Sequence, residues 1–422
     1  MAELGIKIFA EPPLEISAPL EHELPTRTYV LYLGLEIIGW AQILKHSQNL
    51  FELGFVEILP KYRGKGYGRK LIQFALYEHS AAQIYALTII PEFFEKLGFV
   101  RSKTYPSFVD HSCPECLACD PARCTALTFT KPADLIRYGS EKKLFAKYEK
   151  DIIVGHNFMS NEFSAADERT WTYIENIYFL EIDNYIFLAA YPFFGEPYGT
   201  VCPYPGIPDA VLDKYFARLR ELNIQQLAYI NAQACRLLHK YSGTAKLRFQ
   251  EDRDNFDYLY KTSDFANYPG AKFADKRNRL KKFLRNNPAA EVILYKPELK
   301  EMFLNFAKQM FAAMKVGVIS EEALRLGLDQ NLYQGFMVKI GRVEAGLLIY
   351  SELNSQTVVS HFELSNENYD GIAQFMNNYL GKILSGKYKF INREQDMGLP
   401  GLRRSKLSYN PYRLVKKHIV EF

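Results

Sequence analysis

A chain of 422 residues is too long for one ordinary hydrophobic core and predicts two or three domains. Its 48% hydrophobic and 24% charged residues suit a globular protein, no run approaches the ~18 apolar residues of a membrane span, and the start, MAELGIKIFAEPPLE, lacks the regions of a signal peptide, so a cytoplasmic protein is expected. Net charge is only +4, and residues 1–131 carry 13 Lys+Arg against 14 Asp+Glu, which leaves the mild excess to the second part.

The first 27 residues, rich in Pro and Glu, read as a lead-in without a core element. Residues 28–44, TYVLYLGLEIIGWAQIL, alternate as a hairpin turning near Gly34, and a strand over 51–59 stops at Pro60. A helix over 69–82 sets Leu71, Ile72, Ala75 and Leu76 on one face. Strand 83–90, a short helix over 91–97 closed by Gly98, and a strand from Phe99 complete an α+β unit around a mostly antiparallel sheet.

Between strand 51–59 and helix 69–82 lies Arg63-Gly64-Lys65-Gly66-Tyr67-Gly68-Arg69. Glycines let backbone N–H groups converge and the helix N-terminus adds partial positive charge, which suits a diphosphate. Arg63-x-x-Gly66-x-Gly68 matches the Arg/Gln-x-x-Gly-x-Gly/Ala signature of the GNAT (Gcn5-related) N-acetyltransferases, and PEFFEKLGF at 91–99 resembles that family's second motif. The resemblance implies a GNAT fold and acetyl-CoA as cofactor. In that reading the segment from Arg63 through Gly64, Lys65, Gly66, Tyr67 and Gly68 to Arg69 holds the pyrophosphate, and the strand end at Ile58 pairs with the pantetheine arm. Acetyl transfer to an amine needs a base and an acid. Glu52 and Glu57, where the family places its base, are the candidates, and their odd offset predicts opposite strand faces. The family's acid Tyr is matched by Phe94, with Tyr62 and Tyr67 as nearby alternatives.

Cys113, Cys116, Cys119 and Cys124, with Pro114 and Pro121 between them, are spaced to converge on one tetrahedral metal. Structural zinc is the first reading, an iron–sulfur cluster the second and unmetallated thiols the third, with His111 able to replace one Cys. Residues 125–131 alternate as a last strand, 134–150 read as a charged helical link, and a first domain of residues 1–135 is expected.

The second part opens with a strand over 185–191, a Gly/Pro/Tyr-rich loop over 192–208 and an amphipathic helix over 209–222. After a strand at 257–260, a helix over 272–285 turns Phe273, Leu280, Phe283 and Leu284 inward and carries seven Lys or Arg. That face is either simply solvated or meets phosphates of RNA or an anionic carrier. Strands over 335–350 and 356–364 and a helix over 376–384 lead to the C-terminus. There Glu394 and Asp396 share one face if extended, and a glycine turn brings Arg403 and Lys406. Such charges form a salt-bridged turn, or a site that grips an ammonium with acids and a carboxylate or phosphate with bases.

The segment from Lys272, KFADKRNRLKKF, together with NREQDMGLPGLRRSKLSYNP from Asn392, resembles the C-terminal catalytic domain family of phosphatidylglycerol lysyltransferases over roughly residues 140–422. The resemblance implies that domain 136–422 is a tandem pair of GNAT-like lobes, about 140–270 and 271–422, akin to the Fem-type peptidoglycan aminoacyltransferases. By motif, Glu394 and Asp396 would hold an aminoacyl amine, Arg403 and Lys406 an ester or acceptor phosphate, and Lys276, Arg277 and Arg279 the tRNA. Two function classes follow. One is a soluble acyltransferase with acetyl-CoA at the first domain, aminoacyl-tRNA or another acyl donor at the second, and a small-molecule or peptide amine, or a hydroxyl, as acceptor. The other is a non-catalytic protein that senses acyl-CoA and binds RNA or a partner. The lysyltransferases' membrane helices have no counterpart here, which weakens a lipid acceptor.

Overall fold

The computed structural model describes residues 4–10, 16, 26–34, 36–109, 124–138, 159–201, 206–314 and 318–422. The first sheet takes β1 (Leu4–Phe9), β2 (Thr26–Leu33), β3 (Glu36–Ser47), β4 (Leu50–Ile58), β5 (Gln83–Thr88), β6 (Val100–Arg101) and β7 (Thr125–Thr130), in the order β1-β2-β3-β4-β5-β7-β6. The lead-in therefore supplies an edge strand. Leu4 to Phe9 alternate well enough to pair with Leu33 to Thr28 and to bury Ile6. Helix α1 (Tyr67–Glu78) crosses from β4 to the parallel β5, and α2 (Pro91–Glu95) follows. The inward face of α1 buries Leu71, Ile72, Phe74, Ala75 and Leu76, as its spacing predicts.

The second sheet holds β8 (Ile136–Arg137), β9 (Ile177–Ile182), β10 (Tyr185–Ala190), β11 (Tyr198–Thr200), β12 (Gln226–Asn231) and β13 (Arg248–Glu251). The third holds β14 (Asp257–Lys261), β15 (Ala290–Leu294), β16 (Gln334–Ile340), β17 (Val343–Asn354), β18 (Thr357–Ser365), β19 (Phe390–Asn392) and β20 (Arg413–Val415). The chain then returns, and β21 (Lys417–Glu421) inserts between β12 and β13 of the second sheet. The expected link over 134–150 gives β8 at its start and lies outside the described residues from 139 onward.

One plan recurs in all three sheets: antiparallel strands, then a strand–helix–strand crossover with a parallel pair. The crossovers are β4–α1–β5, β11–(Asp209–Glu221)–β12 and β18–(Ile372–Leu384)–β19. In the first sheet the parallel ladder holds only at Glu52 and Tyr85, and in the second only at Gly199 and Leu227, so both pairs open into a wedge. In the third it ends at Val359 and Asn392, after which β18 runs on without β19.

The first two sheets share a core. Tyr77 of α1 stacks on Tyr191 at 3.4 Å, Phe74 meets Phe193 edge-on, and Asn176 Nδ2 donates to the Phe74 carbonyl at 3.4 Å. Buried Glu78 accepts from Arg27 at 2.6 Å and from the Tyr29 hydroxyl at 2.7 Å, with Arg137 at 3.6 Å. The second and third sheets are joined by buried charge. Lys417, which opens β21, and Asp257, which opens β14, are both fully buried and lie 2.6 Å apart. Lys417 Nζ also donates to Asn161 Oδ1 at 2.8 Å and to Glu162. The second Asp257 oxygen accepts from the Asn161 N–H and Asn392 Nδ2, each at 2.9 Å.

Removing one partner of such a cluster strands the others. Lys417→Met is expected to destabilise the folded chain by about 3–5 kcal/mol, because two carboxylates lose their cation. Urea denaturation followed by tryptophan fluorescence and circular dichroism measures this; a change below about 1 kcal/mol would show that the cluster does not join the lobes.

Candidate functional site

The glycine loop sits where the first wedge opens. Gly64 and Gly66 adopt φ of 74° and 81°, and a Cβ built on either meets nothing within 4 Å. Only glycine takes this left-handed backbone without strain, and the space above it is open. Gly66 caps α1, and the first backbone amide bonded to the cap is Lys70 N–H to Gly66 O, at 3.2 Å. The Tyr67, Gly68 and Arg69 N–H groups are thus the ones that helix geometry leaves without an acceptor. A Cβ on Gly68 would touch Ile58 at 3.6 Å and Phe93 at 4.0 Å, which puts the strand end and α2 on one side of the loop. Arg63 turns back: its Nε donates to the Ile58 carbonyl at 2.8 Å and its Nη2 meets Glu57 at 2.6 Å. Lys65 lies over the Tyr62 ring, and Arg69 faces Glu196 of the second sheet's loop at 4.0 Å.

Glu52 and Glu57 do not point to opposite faces. Between Gly54 and Glu57 strand β4 carries one residue more than β3 does between Trp40 and Gln42, and Phe55 takes φ of 49°. This bulge turns the odd offset into an even one. Glu57 then lies opposite Trp40 and Glu52 opposite Leu44, on the same face. Glu52 is bonded to His46 Nε2 at 2.7 Å. Phe94 is buried against Phe93 and Phe99 and has no hydroxyl to offer, so the expected acid is absent at that position.

At the other end of the chain the four charged residues named from sequence lie near one another but have different partners. Asp396 is fully buried and accepts from Arg403 Nε and Nη2 at 2.9 and 2.7 Å, Arg253 at 3.1 Å, the Tyr258 hydroxyl at 2.5 Å and the Gly398 N–H at 2.9 Å. Burial alone would raise its pKa, but the Arg403 and Tyr258 hydrogen bonds outweigh it and hold the carboxyl well below the usual range. Arg403 also reaches Asp254 at 2.6 Å. For this pair the salt-bridged turn is what forms. Buried Lys406 donates to the carbonyls of Arg393, Glu394 at 3.2 Å and Gln395 at 2.6 Å. Burial, with Arg393 adding to it, pushes the ammonium down. Glu394 parts from Asp396 because the chain is no longer extended there: φ is 55° at Glu394.

The basic helix, Ala274–Asn286, uses much of its charge internally. Lys276 is buried over the Tyr409 ring and donates to Ser408 Oγ at 2.8 Å, and Arg277 donates to the Gly270 carbonyl at 2.6 Å. Arg279 and Lys282 both pair with Asp370. Phe273 and Phe283 face inward as expected, whereas Leu284 is 48% exposed and Lys276, on the Phe283 side of the helix, is buried. The same helix seals the third crossover. A Cβ on Gly371, which caps Ile372–Leu384, would lie 2.3 Å from the Arg279 carbonyl. The phosphate position of the third sheet is thus filled by the chain itself.

Sequence reasoning missed the groups around Glu394. Its carboxylate meets His361 Nδ1 at 2.8 Å, and His361 Nε2 meets Ser351 Oγ at 2.7 Å. Close by, Glu363 binds Arg393 through two hydrogen bonds of 2.7 and 2.5 Å. Burial pushes the Glu394 carboxyl up; Lys406 and Lys417 oppose this while Asp257 and Glu162 add to it. Facing the Glu162 side from the second sheet, Tyr198 donates to Glu175 at 3.0 Å and packs edge-on to Tyr229. Asn231, paired with Lys417, keeps a buried Nδ2 without a hydrogen-bond partner. The crossover ends of the second and third sheets therefore border one connected set of polar groups, from Glu175 and Glu162 through Lys417 and Asp257 to Glu394. The signal for His361 and Glu363 was in plain view: two titratable residues inside the otherwise apolar strand VVSHFEL. Among the described residues no three His, Cys, Asp or Glu side chains are grouped to hold a metal. Cys113, Cys116 and Cys119 lie outside the described residues, and Cys124 stands half-buried just ahead of β7.

The sequence model of a family described as "Phosphatidylglycerol lysyltransferase, C-terminal" matches residues 184–421, more than half of the chain. One described as "Acetyltransferase (GNAT) domain" matches residues 25–101. An uncharacterized N-acetyltransferase of Chlorobaculum tepidum is 28% identical over 93 residues, which are 20% of this chain and 60% of that relative's length. Among solved structures, a conserved protein of unknown function from Bacteroides thetaiotaomicron is similar at 21% identity and a TM-score of 0.60, over 66% of this chain and 97% of that one; this likeness is one of fold. The structure of L-PGS from Bacillus licheniformis is similar at 14% identity and a TM-score of 0.47, over 67% of this chain and 92% of that one.

Burial pushes the Glu175 carboxyl from its ordinary 4.5 up to about 7, against the Tyr198 hydrogen bond. The folded state then keeps a proton between those values that the unfolded state has lost, so this group's contribution is complete below pH 4.5 and falls away as pH rises to 7. Glu175→Gln should match wild-type stability near the lower value and exceed it progressively up to the higher one. Thermal unfolding of both proteins across that range tests this; parallel curves would contradict a buried, protonated Glu175.

Proposed function

The chain belongs to the phosphatidylglycerol lysyltransferase C-terminal family and carries a GNAT domain ahead of it, and on this premise we propose that it is an acyltransferase with two donor sites. The observation that carries the proposal is the loop of Gly64 and Gly66: left-handed backbone, open space above it, and the unpaired N–H groups of α1 below. Acetyl-CoA would be held there by the Gly64 to Arg69 backbone, with Ile58 beside the pantetheine arm, and would supply the acetyl group. Glu52 and Glu57 share a face of β4, so either one can accept the proton of an incoming small-molecule or peptide amine, directly or through water.

The second site of the reading is the cleft between the second and third sheets. There an aminoacyl group, carried by aminoacyl-tRNA or another acyl donor, would pass to an amine or hydroxyl. Glu394 supports this: its side chain keeps 21% exposure while its surroundings are closed. Asp396, Arg403 and Lys406 would shape the site by holding the turn, since their charges are already met within the chain. Of the basic helix, Lys281 and Arg285 remain exposed for a nucleic acid. The reading treats 1–135 and 136–422 as the two working domains, places the protein in the cytoplasm and assigns structural zinc to Cys113, Cys116, Cys119 and Cys124.

Gly66→Val should weaken CoA binding at least tenfold while leaving the fold intact, because a β-branched residue at a left-handed position costs about 1–2 kcal/mol and reshapes the loop. Isothermal titration with acetyl-CoA checks this; unchanged affinity would remove the loop from the site. If wild type binds acetyl-CoA and charged tRNA but consumes neither across an amine panel, the sensing protein is the better description. Metal analysis of the purified chain should find one zinc per chain, lost in Cys116→Ser; no metal in wild type would leave four thiols.

A further inference from the structure

We propose that Ser351 and His361 are positioning residues that hold Glu394 as the general base of the cleft between the second and third sheets. The inference rests on the acyl-transfer reading of that cleft and assigns the base and its support. It begins with a backbone irregularity. Ser360 pairs with Tyr350 and Phe362 with Ile349, so His361 is the extra residue of a bulge in β18. Bulges of this kind re-aim one side chain, and here both ring nitrogens find partners: Ser351 Oγ at 2.7 Å and Glu394 Oε1 at 2.8 Å. Once Glu394 is ionised, as a base must be before it acts, its carboxylate can only accept, so Nδ1 then carries the proton and Nε2 accepts from the Ser351 hydroxyl. The row thereby fixes one tautomer.

Exposure gives the row a direction. The His361 side chain is 2% exposed and Ser351 is 3% exposed, whereas the Glu394 side chain is 21% exposed. Ser351 lies mid-strand, with Ser164 Oγ at 3.4 Å, so an acyl group cannot reach it and it is not the nucleophile. The working end is Glu394. Its left-handed backbone is held by its N–H on Asn392 Oδ1 at 2.7 Å and by the Tyr258 N–H on its carbonyl at 3.2 Å. Besides His361 it faces Lys406 from the helix Pro400–Leu407, Lys417 from β21, Asp257 from β14 and Glu162 from the turn Asn161–Phe163. Two cations and two anions largely offset each other. Burial then decides, and lifts the carboxyl toward the range in which a base can take a proton from an ammonium. In the step, Glu394 removes a proton from the acceptor nitrogen or oxygen. That atom bonds to the acyl carbon as the ester C–O bond breaks, and the proton passes to the departing hydroxyl oxygen.

Two measurements on the full chain test the proposal. Long-range ¹H–¹⁵N spectra of histidine-labelled protein, with His361→Gln to identify its ring, should show a neutral Nδ1–H imidazole above about pH 8, where Glu394 is ionised, and Ser351→Ala should shift its Nε2 resonance. An Nε2–H tautomer or an imidazolium in that range overturns the row whether or not the protein turns over. The second measurement follows transfer from charged tRNA to hydroxylamine, which stands in for the acceptor. His361→Gln and Ser351→Ala should move the acidic limb of the kcat/KM profile by about one pH unit or more with tRNA affinity unchanged, and Ser351→Thr should restore it. An unmoved limb, or a fluorophosphonate adduct on Ser351, contradicts the positioning role. No turnover in wild type refutes the acyl-transfer reading and with it the base, while the tautomer result still decides the hydrogen-bonded row.

Discussion

The structure depends on a buried cation placed where two sheets exchange strands. The chain leaves the second sheet after Glu251, builds the third from Asp257 onward, and returns at Lys417. The two residues at the crossing points are each other's counterions, with Glu162 and Asn161 closing the cluster. A buried ion pair is weak evidence for stability by itself, since desolvation offsets much of the attraction. Here it also fixes geometry. Asn392 bonds to Asp257 with its amide nitrogen and receives the Glu394 N–H on its oxygen, so the same cluster sets the backbone from which Glu394 projects.

Three crossovers of one design have been put to different uses. In the first, two left-handed glycines leave the helix N-terminus open. In the third, the cap Gly371 survives but faces the Arg279 carbonyl, and Asp370 beside it is taken by Lys282 and Arg279. In the second, the helix starts behind Pro208 with Asp209, whose carboxylate accepts from Ser242. A carboxylate at that point repels phosphate. Among the described residues the first crossover alone keeps an open helix N-terminus with left-handed glycines, while the other two border the polar groups between the second and third sheets. The first sheet is packed onto the second through Tyr77 and Tyr191 rather than tethered by a linker alone.

How far the sequence carried depended on the range of the interaction. The glycine loop was legible because each residue acts locally: Gly66 must be glycine for its own φ, and α1 follows from its own apolar spacing. The edge strand Leu4–Phe9 was not, since six residues become a strand only when β2 is there to pair. The faces of Glu52 and Glu57 were inverted by a single bulge residue, which strict alternation cannot foresee. At the C-terminus the charged residues were visible, but which of them pair was not. Asp396 finds Arg253, 143 positions away, and Lys417 finds Asp257, 160 away. Lys276 shows the same limit: its charge predicts solvent, and the Tyr409 ring draws it in.

The central claim is a division of labour, with a single CoA cradle in the first crossover and the other two closed to it by their own residues. Native mass spectrometry of the intact chain titrated with CoA tests this most directly. One bound CoA per chain is expected at saturation. A second or third equivalent bound with comparable affinity would show that the Arg279 and Asp209 closures do not exclude the cofactor, and would contradict the account.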